Sequence, residues 1–519
     1  MSNIYKCPNI GNCDKADSGE LITIPNGVEP ICPNQDCKSK LIPTSGFSPG
    51  GKITQPVIIA GILLLVVVVV GWFFFHKTSP SPTPSTPSTS ASSFTGTPLL
   101  RFHGSNTIGS ALLPALAEAF LQQEGYSHAR KVQGKSEDEW FIDGEKNGIQ
   151  ARIEINAHGT KTAFEGLKAG SCDIGMASRA VKDDEWKALQ PVLGDLRSNA
   201  SEHVLALDGI AIIVHPSNSI KSLSLSQLAD IFSGTITDWS EVGGQRGAIN
   251  IFARDEKSGT WDFFNEAVLK KRGKTLSAKA SRMEESKKLT ASVADDANAI
   301  GFIGMNYIGS NKALALSDTG VEARKPTLLT VKTEDYILSR RLYLYTAEKA
   351  NHPVVSRFIE FALGDAGQKI VSSNYLVSLD PTPPSIPVDA DPHDARNKSK
   401  RWRDLTNGAT EIETRFRFRK GSDALDTRAN RDIGRIVGIL SQPKYKDKKM
   451  LLIGFADSTG TSSFNIELSQ KRAEIIKREF APEGIQFSNV IGLGAEAFVA
   501  PNNSPESMEK NRRVEVWMK

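Results

Sequence analysis

Three places in the middle of the chain set a glycine among hydroxyl side chains where a helix can start. They are Gly104-Ser105-Asn106-Thr107-Ile108-Gly109, then His158-Gly159-Thr160-Lys161-Thr162, then Arg254 through Ser258-Gly259-Thr260. A helix N-terminus carries unpaired amides and about half a positive charge, so each turn can hold an oxyanion. Glycine lets the backbone approach a ligand closely, and the hydroxyls add short donors. Arg254 offers a guanidinium suited to a bidentate, charge-assisted pair. One such turn alone reads as an ordinary helix cap. Three within one region favour a ligand.

A second constellation lies near the end of the chain. Asp457 follows the apolar run MLLIGF, and Asn465 and Arg472 stand seven apart in the helical segment after it. Seven residues are about two turns, which places both on one side. Phe464, Leu468 and Ile475 read as the buried stripe beside them. A carboxylate and a guanidinium meeting at a strand end suit a zwitterion, one taking its ammonium and the other its carboxylate. A plain surface salt bridge is the alternative. A third constellation is made of cysteines: Cys7-x5-Cys13 and Cys32-x4-Cys37, with eighteen residues between the pairs. Four thiolates so spaced can hold a tetrahedral zinc ion, and a forty-residue module without metal or disulfides would hardly fold.

Stepping along the chain, residues 99 to about 379 alternate short strand-like runs with amphipathic segments. LLRFHG, ARIEINA, IAIIVH and NIFAR read as strands; ALLPALAEAFLQQ, TAFEGLKAG, LSQLADIF and GTWDFFNEAVLKK read as helices. That alternation predicts an α/β fold. A smaller α+β domain is expected over 405–519. Two Pro-rich linkers, 78–98 and 380–404, bound the α/β region, and the cysteine module occupies 1–45.

From Pro56 to Phe75 every residue is apolar or glycine. Twenty residues at about 1.5 Å each reach about 30 Å, the thickness of a bilayer core, so one transmembrane helix is expected. The run is too long and too far from the start for a cleaved signal peptide. Lys38, Lys40 and Lys52 precede it, while only Lys77 follows before Arg101. This excess places the N-terminus in the cytoplasm and the bulk of a single-pass inner-membrane protein in the periplasm. A cytoplasmic N-terminus favours zinc over disulfides for the four cysteines. Cys172, alone downstream, reads as a small buried hydrophobe.

Of 519 residues, 63 are basic and 59 acidic, a near balance that gives no electrostatic case for a nucleic-acid partner. No Ser-His-Asp arrangement or metal cluster is discernible outside the cytoplasmic module, so the chain does not read as an enzyme.

The segments GSNTIGSALLPALAEAF, INAHGTKTAFEGLKAGSCDIGMASRAV, ARDEKSGTWDFFNE and NAIGFIGMNYI resemble, in order, the phosphate-binding receptor family of bacterial ABC importers. The resemblance implies two lobes closing like a clamshell on phosphate or a related oxyanion, with an importer, a sensor or neither to receive it. It places the contacts on Asn106, Thr107, Gly159, Thr160, Ser178, Arg254, Ser258, Gly259 and Thr260. Many members carry an aspartate where Met176-Ala177-Ser178-Arg179 stands here, leaving Glu256 or Asp255 as the candidate acceptor. The end of the chain, with GFADSTG, NIELSQKRA and NRRVE, resembles the OmpA C-terminal family, which binds the diaminopimelate of peptidoglycan. That maps the contacts onto Asp457 and Arg472, with Ala456 in place of the usual threonine and Arg512 and Arg513 as structural residues. The cysteine module resembles a zinc ribbon. Two functions follow: an anchored oxyanion receptor held to the wall, or an envelope tether whose clamshell no longer binds a small ligand.

Overall fold

The computed structural model describes residues 2–6, 22–25, 31–33, 42–43, 94, 96–256, 258–349, 352–381, 399–418 and 424–519. The chain divides into two compact units, Met1–Ala91 and Ser92–Lys519. In the first, β1 (Ser2–Lys6) pairs antiparallel with both β2 (Ile22–Pro25) and β3 (Ile42–Pro43). Cys32 is buried. Cys7, Cys13 and Cys37 lie outside the described residues, as do the apolar span 56–75 and most of both linkers. Among the described residues no helix is long and apolar enough to cross a membrane, and no group of His, Cys, Asp and Glu is placed to hold a metal ion.

In the second unit the strands run, in chain order, β4 (Leu100–Gly104), β5 (Ser127–Gln133), β6 (Glu139–Lys146), β7 (Ile149–Asn156), β8 (Ile174–Ala177) and β9 (Glu202–Val214). There follow β10 (Ser222–Ser224), β11 (Asn250–Arg254), β12 (Ser281–Met283), β13 (Ala299–Gly304), β14 (Lys312–Ala313), β15 (Ala315–Asp318), β16 (Val321–Arg324) and β17 (Ser339–Tyr345). One continuous path of pairing runs β12-β11-β13-β9-β17-β8-β4-β7-β6-β5, and β10-β15-β16 form a small separate sheet.

Strand β9 explains how two lobes share this path. Its first half pairs with β17 and its second half with β13, so it crosses from one lobe to the other. From Val204 to Val214 it is buried without interruption, which is why it reads LALDGIAIIV rather than alternating. The first lobe packs Leu112, Leu116 and Phe120 of the helix Leu112–Gln123 on its sheet, with Phe102 and Phe358 edge-on at 4.9 Å. The second lobe centres on Phe264 and Phe302, stacked at 4.1 Å. Cys172 is buried in the core that runs between them, and burial pushes its thiol up to about 12.

The C-terminal domain is a four-stranded sheet of β18 (Thr410–Arg417), β19 (Met450–Gly454), β20 (Phe487–Gly492) and β21 (Arg513–Met518), in the order β18-β21-β19-β20. The helix Lys400–Thr406 packs into it, Trp402 meeting Trp517 edge-on at 5.4 Å. The helix Ser462–Glu479 turns an unexpected face to the sheet. Phe464 is 55% exposed and Leu468 half-buried, while Asn465, Ser469, Arg472, Ala473 and Ile476 are buried beside Ile475. The expected apolar stripe is therefore corrected. Gly454 and Gly492 let the helix backbone come so close at Ser469 and Gln470 that a methyl group at either glycine would lie 2.0 or 2.3 Å from it. The small side chains of Ser469 and Ala473 fill that contact, so Phe464 is turned outward.

Candidate functional site

Two of the predicted anion turns meet in the first lobe. Asn106 and Thr107 open the helix Asn106–Gly109 directly after β4, and Gly159 precedes the helix Thr160–Ala169. Gly159 has φ 95°, a left-handed conformation that favours glycine. Its amide donates to Gly104 O at 2.7 Å, which fixes one helix start against the other. Thr160 Oγ1 accepts from Ser178 N at 3.0 Å and lies 3.1 Å from Ser178 Oγ, so both hydroxyls stand together at the end of β8.

The third turn faces them from the second lobe. Ser258 caps the helix Gly259–Phe264, accepting from Thr260 N at 3.2 Å. Gly259 is so close to Thr107 that an added methyl group would sit 1.8 Å from Thr107 Oγ1. The lobes are therefore in contact at the two helix starts, with the cleft closed.

Arg254 behaves differently from expectation. It ends β11, but Nη1 donates to Ser286 Oγ at 2.7 Å and Nη2 to Glu284 O at 2.8 Å. Its Nε is buried without a hydrogen-bond partner. Burial lowers the pKa of this guanidinium, against the opposing pull of Asp255. Its two terminal nitrogens serve its own lobe rather than forming an open clamp. Nearby, Arg179 is turned onto Glu185 with two contacts of 2.7 Å, and Glu256 is exposed and pairs with Arg282 at 3.2 Å.

Sequence reasoning missed Arg340 and Asp208. They are directly opposed on β17 and β9, with Arg340 Nη2 and Nε donating to Asp208 Oδ2 at 2.7 and 2.9 Å. The same guanidinium donates to Thr107 Oγ1 at 3.2 Å and to Gly259 O at 3.0 Å. It thus touches both lobes where they meet. The signal was present: an aspartate inside a wholly apolar strand must find a cation, because a lone buried charge is very costly.

At the C-terminal site both expected residues are enclosed, Asp457 at 6% and Arg472 at 4% exposure. Asp457 Oδ2 accepts from Arg512 Nη1 at 2.9 Å, and Oδ1 accepts from Thr459 N at 2.8 Å and from the Thr459 hydroxyl. Burial pushes this carboxyl up, but the hydrogen bonds from Thr459 and Arg512 outweigh it and hold it below its ordinary value. Arg472 donates to Phe455 O at 3.3 Å, two residues before Asp457. Arg512, expected to be structural, is the ion-pair partner of Asp457, and its Nε and Nη2 are buried without hydrogen-bond partners.

Residues 86–366 match the PBP superfamily domain, and residues 417–512 match the OmpA family. The phosphate-binding protein PstS of Staphylococcus epidermidis is 31% identical over 264 residues, 49% of this chain and 78% of that protein. Its counterpart in Staphylococcus haemolyticus is 31% identical over 268 residues, 50% of this chain and 81% of that protein. A crystal structure of an ABC-type phosphate transport receptor from Vibrio cholerae is 22% identical with a TM-score of 0.42, covering 54% of this chain and 99% of that one. With a match over more than half its length, this chain belongs to the PBP superfamily, and it carries an OmpA family domain C-terminal to that clamshell.

Proposed function

We propose that this chain binds phosphate or a related oxyanion in its cleft and is attached to peptidoglycan of the diaminopimelate type through Asp457 and Arg472. The observation that carries the reading is the meeting of helix N-termini. Thr107 and Gly259 touch across the lobes, and Thr160 with Ser178 stands beside them in the first lobe. Their amides and hydroxyls are donors of the kind an oxyanion needs. Ser178 supplies a hydroxyl without a fixed negative charge, so the cleft lacks the carboxylate that would repel fully ionised sulfate at that position. Titration calorimetry against phosphate, sulfate and molybdate tests the reading and sets the selectivity. Failure of all three to bind overturns it.

The remaining elements belong to the same proposal. The span 56–75 anchors the chain in the inner membrane, the N-terminus is cytoplasmic, and Cys7, Cys13, Cys32 and Cys37 hold one structural zinc ion. A second reading, a tether between membrane and wall whose clamshell binds nothing small, is favoured by one observation. The terminal nitrogens of Arg254 are occupied by Ser286 and Glu284.

A further inference from the structure

The C-terminal domain grips both lobes of the clamshell. On the first lobe, Thr427 Oγ1 donates to Glu202 Oε1 at 2.8 Å, and Arg431 pairs with Glu360 at 2.7 Å. On the other side, guanidiniums enclose the turn Thr333-Glu334-Asp335. Arg428 lies 2.9 Å from Glu334, Arg415 lies 3.1 Å from Asp335, and Arg417 donates to Thr333 O at 2.7 Å. That turn is tied to the second lobe, since Asp335 lies 3.8 Å from Arg324 of β16 and Tyr336 donates to Ile210 O at 2.8 Å. Glu334 and Asp335 are buried. Breaking one partner out of a buried ion pair is strongly unfavourable, so the domain cannot follow one lobe away from the other without loss.

Between the two grips runs β17, whose successive side chains point to opposite faces. Arg340 faces the cleft, touching Thr107 and Gly259. Arg341 faces the C-terminal domain, 2.8 Å from Glu334 and 2.8 Å from Asp426. Ser339, on the same side as Arg341, lies 3.5 Å from Lys510 Nζ, and Lys510 O accepts from Arg417 at 2.9 Å. Lys510 is two residues from Arg512, the partner of Asp457. One strand therefore carries the cleft contact on one face. On the other it carries the support of the segment that forms the wall site.

We propose that cleft closure on an oxyanion and retention on peptidoglycan are coupled through β17 and the domain docked across the hinge, so that each ligand strengthens binding of the other. This rests on the oxyanion and peptidoglycan reading above. A hinge with two positions is an element that both sites can bias, and linkage makes the effect reciprocal.

The test uses full-length protein in detergent, pelleted with purified sacculi with and without saturating inorganic phosphate. Phosphate should lower the sacculus concentration for half-pelleting by roughly fivefold or more, the lower end of ordinary allosteric coupling. A soluble diaminopimelate-containing muropeptide should tighten phosphate binding by the same factor. The variant Thr427→Val/Arg431→Gln, at the rim of the first-lobe grip, should keep both affinities measured singly and lose the mutual effect. Glu334→Gln cuts the other grip and should behave alike; if it fails to fold, the rim variant still decides. Wild-type protein that binds both ligands with no mutual effect overturns the coupling and leaves the proposed function standing. Protein that binds neither overturns both. A mutual effect undiminished in the rim variant overturns the assignment to this interface.

Discussion

Arg512 Nη1 donates to Asp457 Oδ2 at 2.9 Å, so the carboxylate at the C-terminal site already has a cation before any ligand arrives. Substituting either residue therefore changes more than ligand contact. Asp457→Ala leaves Arg512 enclosed and unpaired, which costs about 3–5 kcal/mol of stability. Asp457→Asn keeps an acceptor for Thr459 and is the cleaner probe. We expect Asp457→Asn, Arg472→Ala and Arg512→Met each to reduce pelleting with sacculi at least tenfold, roughly 1.4 kcal/mol, with Arg512→Met also losing stability because it strands the Asp457 carboxylate. Circular dichroism should show the fold intact. Wild-type pelleting of all three would remove this surface as the wall site.

At the cleft, Gly259→Ala is expected to weaken phosphate binding tenfold or more. The added methyl group would stand 1.8 Å from Thr107 Oγ1, so the lobes cannot close to the observed contact. Calorimetry with phosphate reads the loss directly. Unchanged affinity would mean that the ligand is held without closure.

The Asp208–Arg340 pair predicts a non-additive stability pattern. Arg340→Gln strands a buried carboxylate and should cost about 3–5 kcal/mol, whereas Asp208→Asn/Arg340→Gln should recover a substantial part of that. Denaturant unfolding of the single and double variants gives the coupling. Additive losses would argue that the two side chains do not depend on one another.

His203 predicts a pH dependence. It sits at the start of β9, 3.3 Å from Thr346 Oγ1, and burial, with a further contribution from Arg431, pushes its imidazole down to about 4 from 6.5. Glu360 acts in the opposite direction. Between those values the unfolded chain binds the proton and the folded chain does not. The stabilisation is thus complete above pH 6.5 and is lost as pH falls towards about 4. Unfolding midpoints measured across that window should fall in the wild type and fall less in His203→Gln.

For the amino-terminal module, metal analysis of the full-length chain should find one zinc ion, lost in Cys7→Ser/Cys13→Ser. A thiol reagent that cannot cross the inner membrane should leave Cys7 unlabelled in intact spheroplasts. Labelling there would sink both the topology and the zinc assignment.

Much of this protein is legible in local pattern. Helix starts announce themselves through Gly-Ser-Thr turns because capping is local chemistry, so Asn106, Thr107, Gly159, Thr160, Ser258 and Gly259 were identifiable by type and spacing. Strand and helix alternation exposed the α/β fold for the same reason, while the two-lobed clamshell followed from the family resemblance. What the local pattern does not contain is which charge meets which. Arg340 finds Asp208 across 132 residues, and Arg428 finds Glu334 across 94, between domains that the sequence shows only as separated by a proline-rich linker. Helix periodicity misassigned Phe464 because hydrophobicity ranks residues by type. The contact at Gly454 and Gly492 selects by size and sets Ser469 and Ala473 against the sheet, which carries Asn465 and Arg472 of the same helix face inward with them. Likewise Arg512 became Asp457's partner only when β21 was laid beside β19. Burial and ion pairing are settled by neighbours distant in sequence, and only the tertiary fold brings those neighbours together.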